Sequence, residues 1–383
     1  MRSAQPIKPL LSCLVVLLLG YSTGLQLGRI APYAVRLGDE FGFSHPTIGW
    51  LTSLVTLFVA LFAIPAARVI TSFGLVLAIK LGAIAMAVGA VLFAFADTLP
   101  LMIAARVIEA AGHIITVIAA PSYLAVKAPD SLRRVFLALW SSFVPVGFAL
   151  SNGLSGVMPQ GAQLQDIWFA YAGAMGVVAF LVLIILADAQ PKTARGSDPV
   201  GKAKIAWALV VSFGVYAFLS IGFFTFSPSY TATSGPQMVS AAVVPLFVPL
   251  GSFTAAFLFA RTDGALPPRL ISPGFLLIGC CAAFCFPETA SDGSVLRAVF
   301  AFACGLTAAA IFTSVPVVTD SADAAARTIG AIAQAGGAMV LLGAPLSGFI
   351  LETGGWGMLE FSFLGAALAA ASIALVSLRR ANI

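Results

Sequence analysis

The stretch Arg106-Val-Ile-Glu109-Ala-Ala-Gly112-His113-Ile-Ile-Thr116-Val-Ile-Ala-Ala-Pro121 decides how the chain is read. It lies in an apolar run that begins near Leu99, yet it carries an arginine, a glutamate and a histidine. At about 100° per residue, Glu109 and His113 fall about −60° and −20° from Arg106, so the three share one helical face, which Thr116 extends. Each charged group at the centre of a bilayer costs roughly 2.5–3.5 kcal/mol. A hydrophobic helix with such groups on one face turns that face to protein or to a water-filled cavity. Two readings stand at this point: an Arg106–Glu109 pair that cements helix packing, or a polar site inside a transport protein.

Composition sets the frame for that face. Hydrophobic residues make up 60% of the 383 residues and charged residues 9%, with a mean hydropathy of +1.04. Soluble domains carry about 25% charged residues, so this is an integral membrane protein. With about 20 residues per crossing, the chain holds roughly twelve spans and no sizeable soluble domain. The formal charge of +5 reflects charge placement in the loops, and no nucleic-acid partner is expected. Cys13, Cys280, Cys281, Cys285 and Cys304 all fall in apolar stretches without zinc-site spacing and read as packing residues. Arg2 and Lys8 ahead of Leu10–Leu19 imitate a signal peptide; without a convincing cleavage site the segment reads as an uncleaved first helix.

Polar breaks and Gly/Pro clusters place the spans at 10–32, 46–67, 74–96, 99–125, 134–157 and 167–187, then 205–227, 238–260, 270–287, 294–317, 328–350 and 357–378. Residues 1–190 and 205–383 are read as two six-helix bundles, joined by a charged, Gly/Pro-bearing linker at 191–204. With both termini in the cytoplasm, most lysines and arginines fall on the inner side, among them Arg68, Lys80, Lys127, Arg133, Arg134, Lys192, Arg261, Arg269, Arg327 and Arg380. Dropping one span would reverse the later clusters. The halves also echo each other. Pro121 is matched by Pro316, 195 residues on, the Leu154-Ser-Gly156 helix end by Leu346-Ser-Gly348, 192 residues on, and Arg106 by Arg297, 191 residues on. Six helices repeated in parallel form a transporter architecture with substrate bound between the halves.

On these residues the chain resembles the major facilitator superfamily over essentially its whole length. Arg106-Val-Ile-Glu109-Ala110-Ala-Gly112 is similar to the family's fourth-helix signature Arg-x-x-Gln/Glu-Gly-x-Gly, with Ala110 at the middle glycine. The family's loop between helices 2 and 3, Gly-x-x-x-Asp-Arg-x-Gly, is eroded here: ending it at Gly74 puts Ala67, Thr71 and Ser72 at the glycine, aspartate and arginine. Arg68 and Gly74, with Arg261 and Asp263 in the second half, remain as the expected gating-loop residues. In helix 5, Pro145, Gly147, Asn152 and Gly153 partly resemble the signature of family antiporters without its Gly-Pro-x-x-Gly-Gly order, and Pro145 reads as a kink.

The resemblance implies an all-α, twelve-helix secondary transporter of a small organic solute in the inner membrane, coupled to protons and acting as a monomer. Glu109, the carboxylate in mid-span, with Arg106 and His113, is expected to carry proton coupling. Arg29, Gln26, Arg106, Gln334 and Asn152 are expected to bind substrate, and their balance favours an anionic or neutral polar solute. For Arg29 the choice lies between facing the cavity beside Gln26 and snorkelling to the outer interface; Arg297 carries the same ambiguity. Uptake is the preferred direction, loosely as in the cyanate and organic-anion branch, with multidrug-type or metabolite efflux as the alternative. A membrane-embedded enzyme or a non-transporting scaffold is the remote alternative. His45 and His113 sit in no metal-ligand or nucleophile pattern, and no phosphate-cradling glycine loop with lysine occurs. No cofactor and no metal are expected.

Overall fold

A computed structural model describes residues 7–72, 74–129, 132–159, 161–186, 204–234, 237–259, 261, 266–287 and 292–380. Within them the chain is helical, because in lipid a helix satisfies its backbone hydrogen bonds internally. The first span is Ile7–Gly28 and is followed by a short amphipathic helix, Ala34–Phe41. The second runs as His45–Ser53, one tight turn at Leu54–Thr56, and Leu57–Ser72. Leu75–Ala94 and Leu99–Lys127 form the third and fourth. The fifth is Arg133–Ser141 and Phe143–Val157, bent by 60° between them. Pro145 has no N–H and its ring crowds the carbonyl one turn back, which accounts for a break at Ser142 rather than at the proline itself.

After the sixth span, Leu164–Ile185, come Trp207–Thr233, the shorter Phe247–Phe259 and Leu266–Ala282, and Ser294–Val318. Continuous helix then runs from Ala322 to Arg380, 59 residues. At 1.5 Å per residue its 51 apolar residues, Arg327–Ser377, would reach about 76 Å, more than twice the ~30 Å hydrocarbon thickness. Gly355 resolves this: with φ 69° and ψ −169°, a conformation that suits glycine, it breaks the run into an eleventh and a twelfth span. Counted this way, the described residues give twelve helical segments, of which Phe247–Phe259 and Leu266–Ala282 are shorter than a full crossing.

Two apolar cores form. One draws mainly on residues from Cys13 to Leu186, with Phe226 and Leu351 from the second half, the other mainly on Leu209 to Ala374. Leu61, Phe62, Val177, Phe180, Phe257 and Phe361 stay exposed on the outer faces, where lipid tails are the natural solvent. Described contacts between the halves gather toward the end away from the linker. Ser53 Oγ donates to the Leu341 carbonyl at 2.7 Å, the His45 amide to Glu352 Oε2 at 3.1 Å, and Asn152 Nδ2 to the Ala241 carbonyl at 3.0 Å.

Candidate functional site

The third and fourth spans approach closely because neither carries bulk where they cross. A Cβ added to Gly112 would stand 2.7 Å from both the Gly82 carbonyl oxygen and the Met86 nitrogen. That contact, made by the last glycine of the fourth-helix signature, turns the Arg106–Glu109 face into the first bundle. Arg106 and Glu109 are both fully buried.

Glu109 is held by two arginines. Arg29 Nη1 and Nη2 donate to its Oε1 and Oε2 at 2.9 and 3.3 Å, a two-pronged contact from the first span. Arg106 Nη1 donates to Oε2 at 2.9 Å, one helical turn away on the same helix. The same Arg106 nitrogen donates to the Gln26 carbonyl at 2.8 Å. Gln26 Oε1 accepts from Arg29, and Gln26 Nε2 donates to the Tyr171 carbonyl of the sixth span at 2.8 Å. The Tyr171 hydroxyl donates in turn to the Ser151 carbonyl at 3.0 Å, carrying the network to the fifth span. Phe93 from the third span lies beneath the cations, its ring centre 4.0 Å from the Arg29 guanidinium carbon and 5.3 Å from that of Arg106. Such cation–π contacts are worth about 2 kcal/mol or more when desolvated. Trp168 packs edge-on against Phe93, centroids 5.5 Å apart.

Neither expected placement of Arg29 is what the fold adopts. It neither snorkels nor stands open beside a cavity: at 1% exposure it turns into the bundle, because the Glu109 carboxylate lies within reach there. Gln26 joins it, with its side-chain groups engaged inside the protein. His113 shares the stripe but sits outside the network. Its Nδ1 has no partner among the described residues, and its ring lies 6.3 Å from that of Phe143. Asn152 uses its amide nitrogen on the Ala241 carbonyl across the halves; its Oδ1, and Oε1 of the half-buried Gln334, have no partner among the described residues.

The gating-loop residues do not assemble among the described residues. Gly74 has φ 91° and precedes the third span as its N-cap. Arg261 is exposed, in the turn after the helix Phe247–Phe259, and lies 3.4 Å over the Phe257 ring of that helix. Asp263 and much of the 191–204 linker lie outside the described residues, as does the Arg68 side chain. Arg297, the counterpart of Arg106, neither lines a cavity nor reaches lipid. It donates to the Cys285 carbonyl at 2.7 Å and to Gln237, and lies 5.1 Å from the Tyr230 ring centre, tying loops of the second bundle together.

Phe93, Tyr171 and the His45–Glu352 contact escaped the sequence reading. Phe93 is one apolar residue in an apolar span and gives no signal.

The family model for the Major Facilitator Superfamily matches residues 10–340. The chain belongs to that superfamily. It is a multi-pass membrane protein. Its relatives include the galactose-proton symporter of Escherichia coli K12, 25% identical over 178 residues, covering 45% of this chain and 36% of that protein. Another is the quinolone resistance protein NorA of Staphylococcus aureus MRSA252, 26% identical over 240 residues, 57% of this chain and 59% of that protein. The chain thus spans between about a third and three fifths of the length of these curated relatives. Among solved structures, an inward-facing, occupied bacterial homologue of the human lysosomal transporter Spinster aligns with a TM-score of 0.74 at 16% identity, covering 98% of both chains. The nucleoside transporter NupG (D323A mutant) aligns at 0.72 and 14% identity, covering 96% of this chain and 99% of that one. These likenesses speak for the fold, which is the twelve-helix facilitator fold expected from the sequence.

Proposed function

We propose that the superfamily member described here is a proton-coupled secondary transporter of a small organic solute, anionic or neutral and polar, in the cytoplasmic membrane. Its bundles, 1–190 and 205–383, rock about the linker 191–204 with both termini inside, and the monomer is the working unit. The observation that carries the coupling role is the Glu109 carboxylate clasped by Arg29 and Arg106. A proton on Glu109 removes the charge that holds the first and fourth spans together, in surroundings that water does not screen. The two guanidiniums are then left facing each other, and the clasp loosens. Proton occupancy is thereby converted into a change in helix packing, which is what coupling requires. Gln334 and Asn152, each with a side-chain oxygen that has no hydrogen-bond partner among the described residues, are the members of the expected set left to meet solute.

Uptake is supported by the proton symporters among the relatives. The efflux reading is supported by NorA, whose match covers more of this chain. The test is paired assays in proteoliposomes with wild type and Glu109→Gln: uptake driven by an imposed proton gradient, and counterflow without one. The substituted protein should lose gradient-driven accumulation while keeping counterflow. Accumulation equal to wild type would reduce Glu109 to a packing partner.

A further inference from the structure

The Arg29–Glu109–Arg106 cluster is short of one negative charge. Two guanidiniums, which stay protonated in proteins, share one carboxylate, and all three side chains are at most 1% exposed. The donors are unbalanced in the same sense. Arg106 Nε and Nη2 and Arg29 Nε are buried and have no hydrogen-bond partner among the described residues. Arg106 therefore spends one terminal nitrogen on Glu109 and Gln26 and leaves the rest of its fork unused. Nε and Nη2 lie side by side on one edge of a guanidinium, the edge that binds a planar or spherical anion. Buried polar groups of native proteins find partners with few exceptions, and a buried unpaired charge is among the costliest of those exceptions.

We infer that the free edge of Arg106 is a binding site for one small monovalent anion, a halide, nitrate or a carboxylate group, which completes the charge of the cluster. The full burial of the cluster restricts the ligand to a few atoms. Multivalent anions such as sulfate or phosphate would overshoot the single missing charge and carry more hydration to strip. Phe93 already lies beneath both cations, 4.0 Å from Arg29 and 5.3 Å from Arg106, and so shields that side of the cluster. The inference rests on geometry and charge balance, not on Glu109 acting in coupling, so either can fail while the other stands.

The test uses the purified full chain and follows its melting temperature at constant pH and constant ionic strength, replacing sodium gluconate, a carboxylate too bulky for a fully buried site of a few atoms, stepwise by chloride, nitrate or acetate. A ligand of the folded state raises the melting temperature with saturation. Wild type should show a saturable rise with the small anions. Glu109→Gln, which removes the resident negative charge, should melt lower than wild type in gluconate. It should reach half-effect at an anion concentration at least about tenfold lower than wild type, the scale on which one neighbouring charge acts at a few ångströms. Arg106→Gln should lose the anion response. Acetate acting at lower concentration than chloride and nitrate would mark the ligand as the carboxylate of an organic acid; the reverse order would mark a resident inorganic ion. Identical melting in gluconate and in the small anions would overturn the inference. So would an unchanged response in Arg106→Gln or a weaker one in Glu109→Gln. If Arg106→Gln does not fold, the direction of the Glu109→Gln shift decides alone.

Discussion

Arg106 and Arg297 occupy matching places in the two halves, each buried in the corresponding helix of its bundle. Their partners differ in kind. Arg106 meets a carboxylate that a second arginine also grips. Arg297 meets a backbone carbonyl and the amide oxygen of Gln237, which are dipoles and do not ionise. One residue type at one place in a repeated fold thus becomes either part of a charge cluster or a loop staple. What decides is whether an ionisable group comes within reach. A proton can change the strength of the first arrangement directly; in the second, the ionisable neighbour Asp292 is not among the groups that Arg297 is seen to bond.

The sharpest way to break this comparison is to remove the shared anion. Glu109→Ala leaves two buried cations without the carboxylate they share and should destabilise the protein by about 3–5 kcal/mol. Denaturant or thermal unfolding in detergent reads that loss, and replacing Arg29 and Arg106 by Met in the same variant should recover much of it. Recovery would establish that unpaired charge, not lost packing, caused the damage. A loss that persists in the triple variant would argue for packing.

Arg297→Gln should cost less, about 1–3 kcal/mol, since it deletes bonds to neutral groups and leaves no charge stranded. Its signature is local: faster amide hydrogen exchange around 237–244 and 282–287, with the pH dependence of transport unchanged. A shifted pH profile in this variant would erase the distinction between the two arginines.

The smallest effect belongs to Asp292, at the mouth of the second bundle. The Ser294 side chain and the Met238 and Ser294 amides hold its carboxyl below the ordinary value of 3.8, with Arg297 adding to the effect. A carboxyl lowered in the folded state contributes stability that is present above 3.8 and is lost as pH falls through the still lower folded value. Exchange protection of the Met238 amide should therefore hold from pH 7 down to about 4 and weaken only below that. Asp292→Asn should weaken it at neutral pH. Protection that already fades near pH 6 would mean that another group controls this loop.

Some of the site was legible before any fold was known. Helical periodicity alone put Arg106, Glu109 and His113 on one face, because the angle between residues of one helix is fixed by the backbone. Apolar spacing gave twelve crossings close to those observed, because the bilayer sets their length, and charge asymmetry argued for an even number of them. The offset of about 190 residues between the prolines, arginines and Leu-Ser-Gly ends suggested the repeat.

What one helix faces is another matter. Nothing within the first span tells Arg29 whether to rise to the interface or turn inward; the carboxylate it meets is 80 residues away in sequence. Phe93, a third helix's contribution, is invisible for the same reason, as is the separation of His113 from the cluster it shares a stripe with. The sequence by itself determined the class, the spans and the angular position of each charge on its own helix, because those follow from local geometry and from the solvent on either side. Only the tertiary structure decided which charges meet. Rotation and depth of one helix against the next are fixed by contacts such as Gly112 against Gly82, and these are not properties of any one helix.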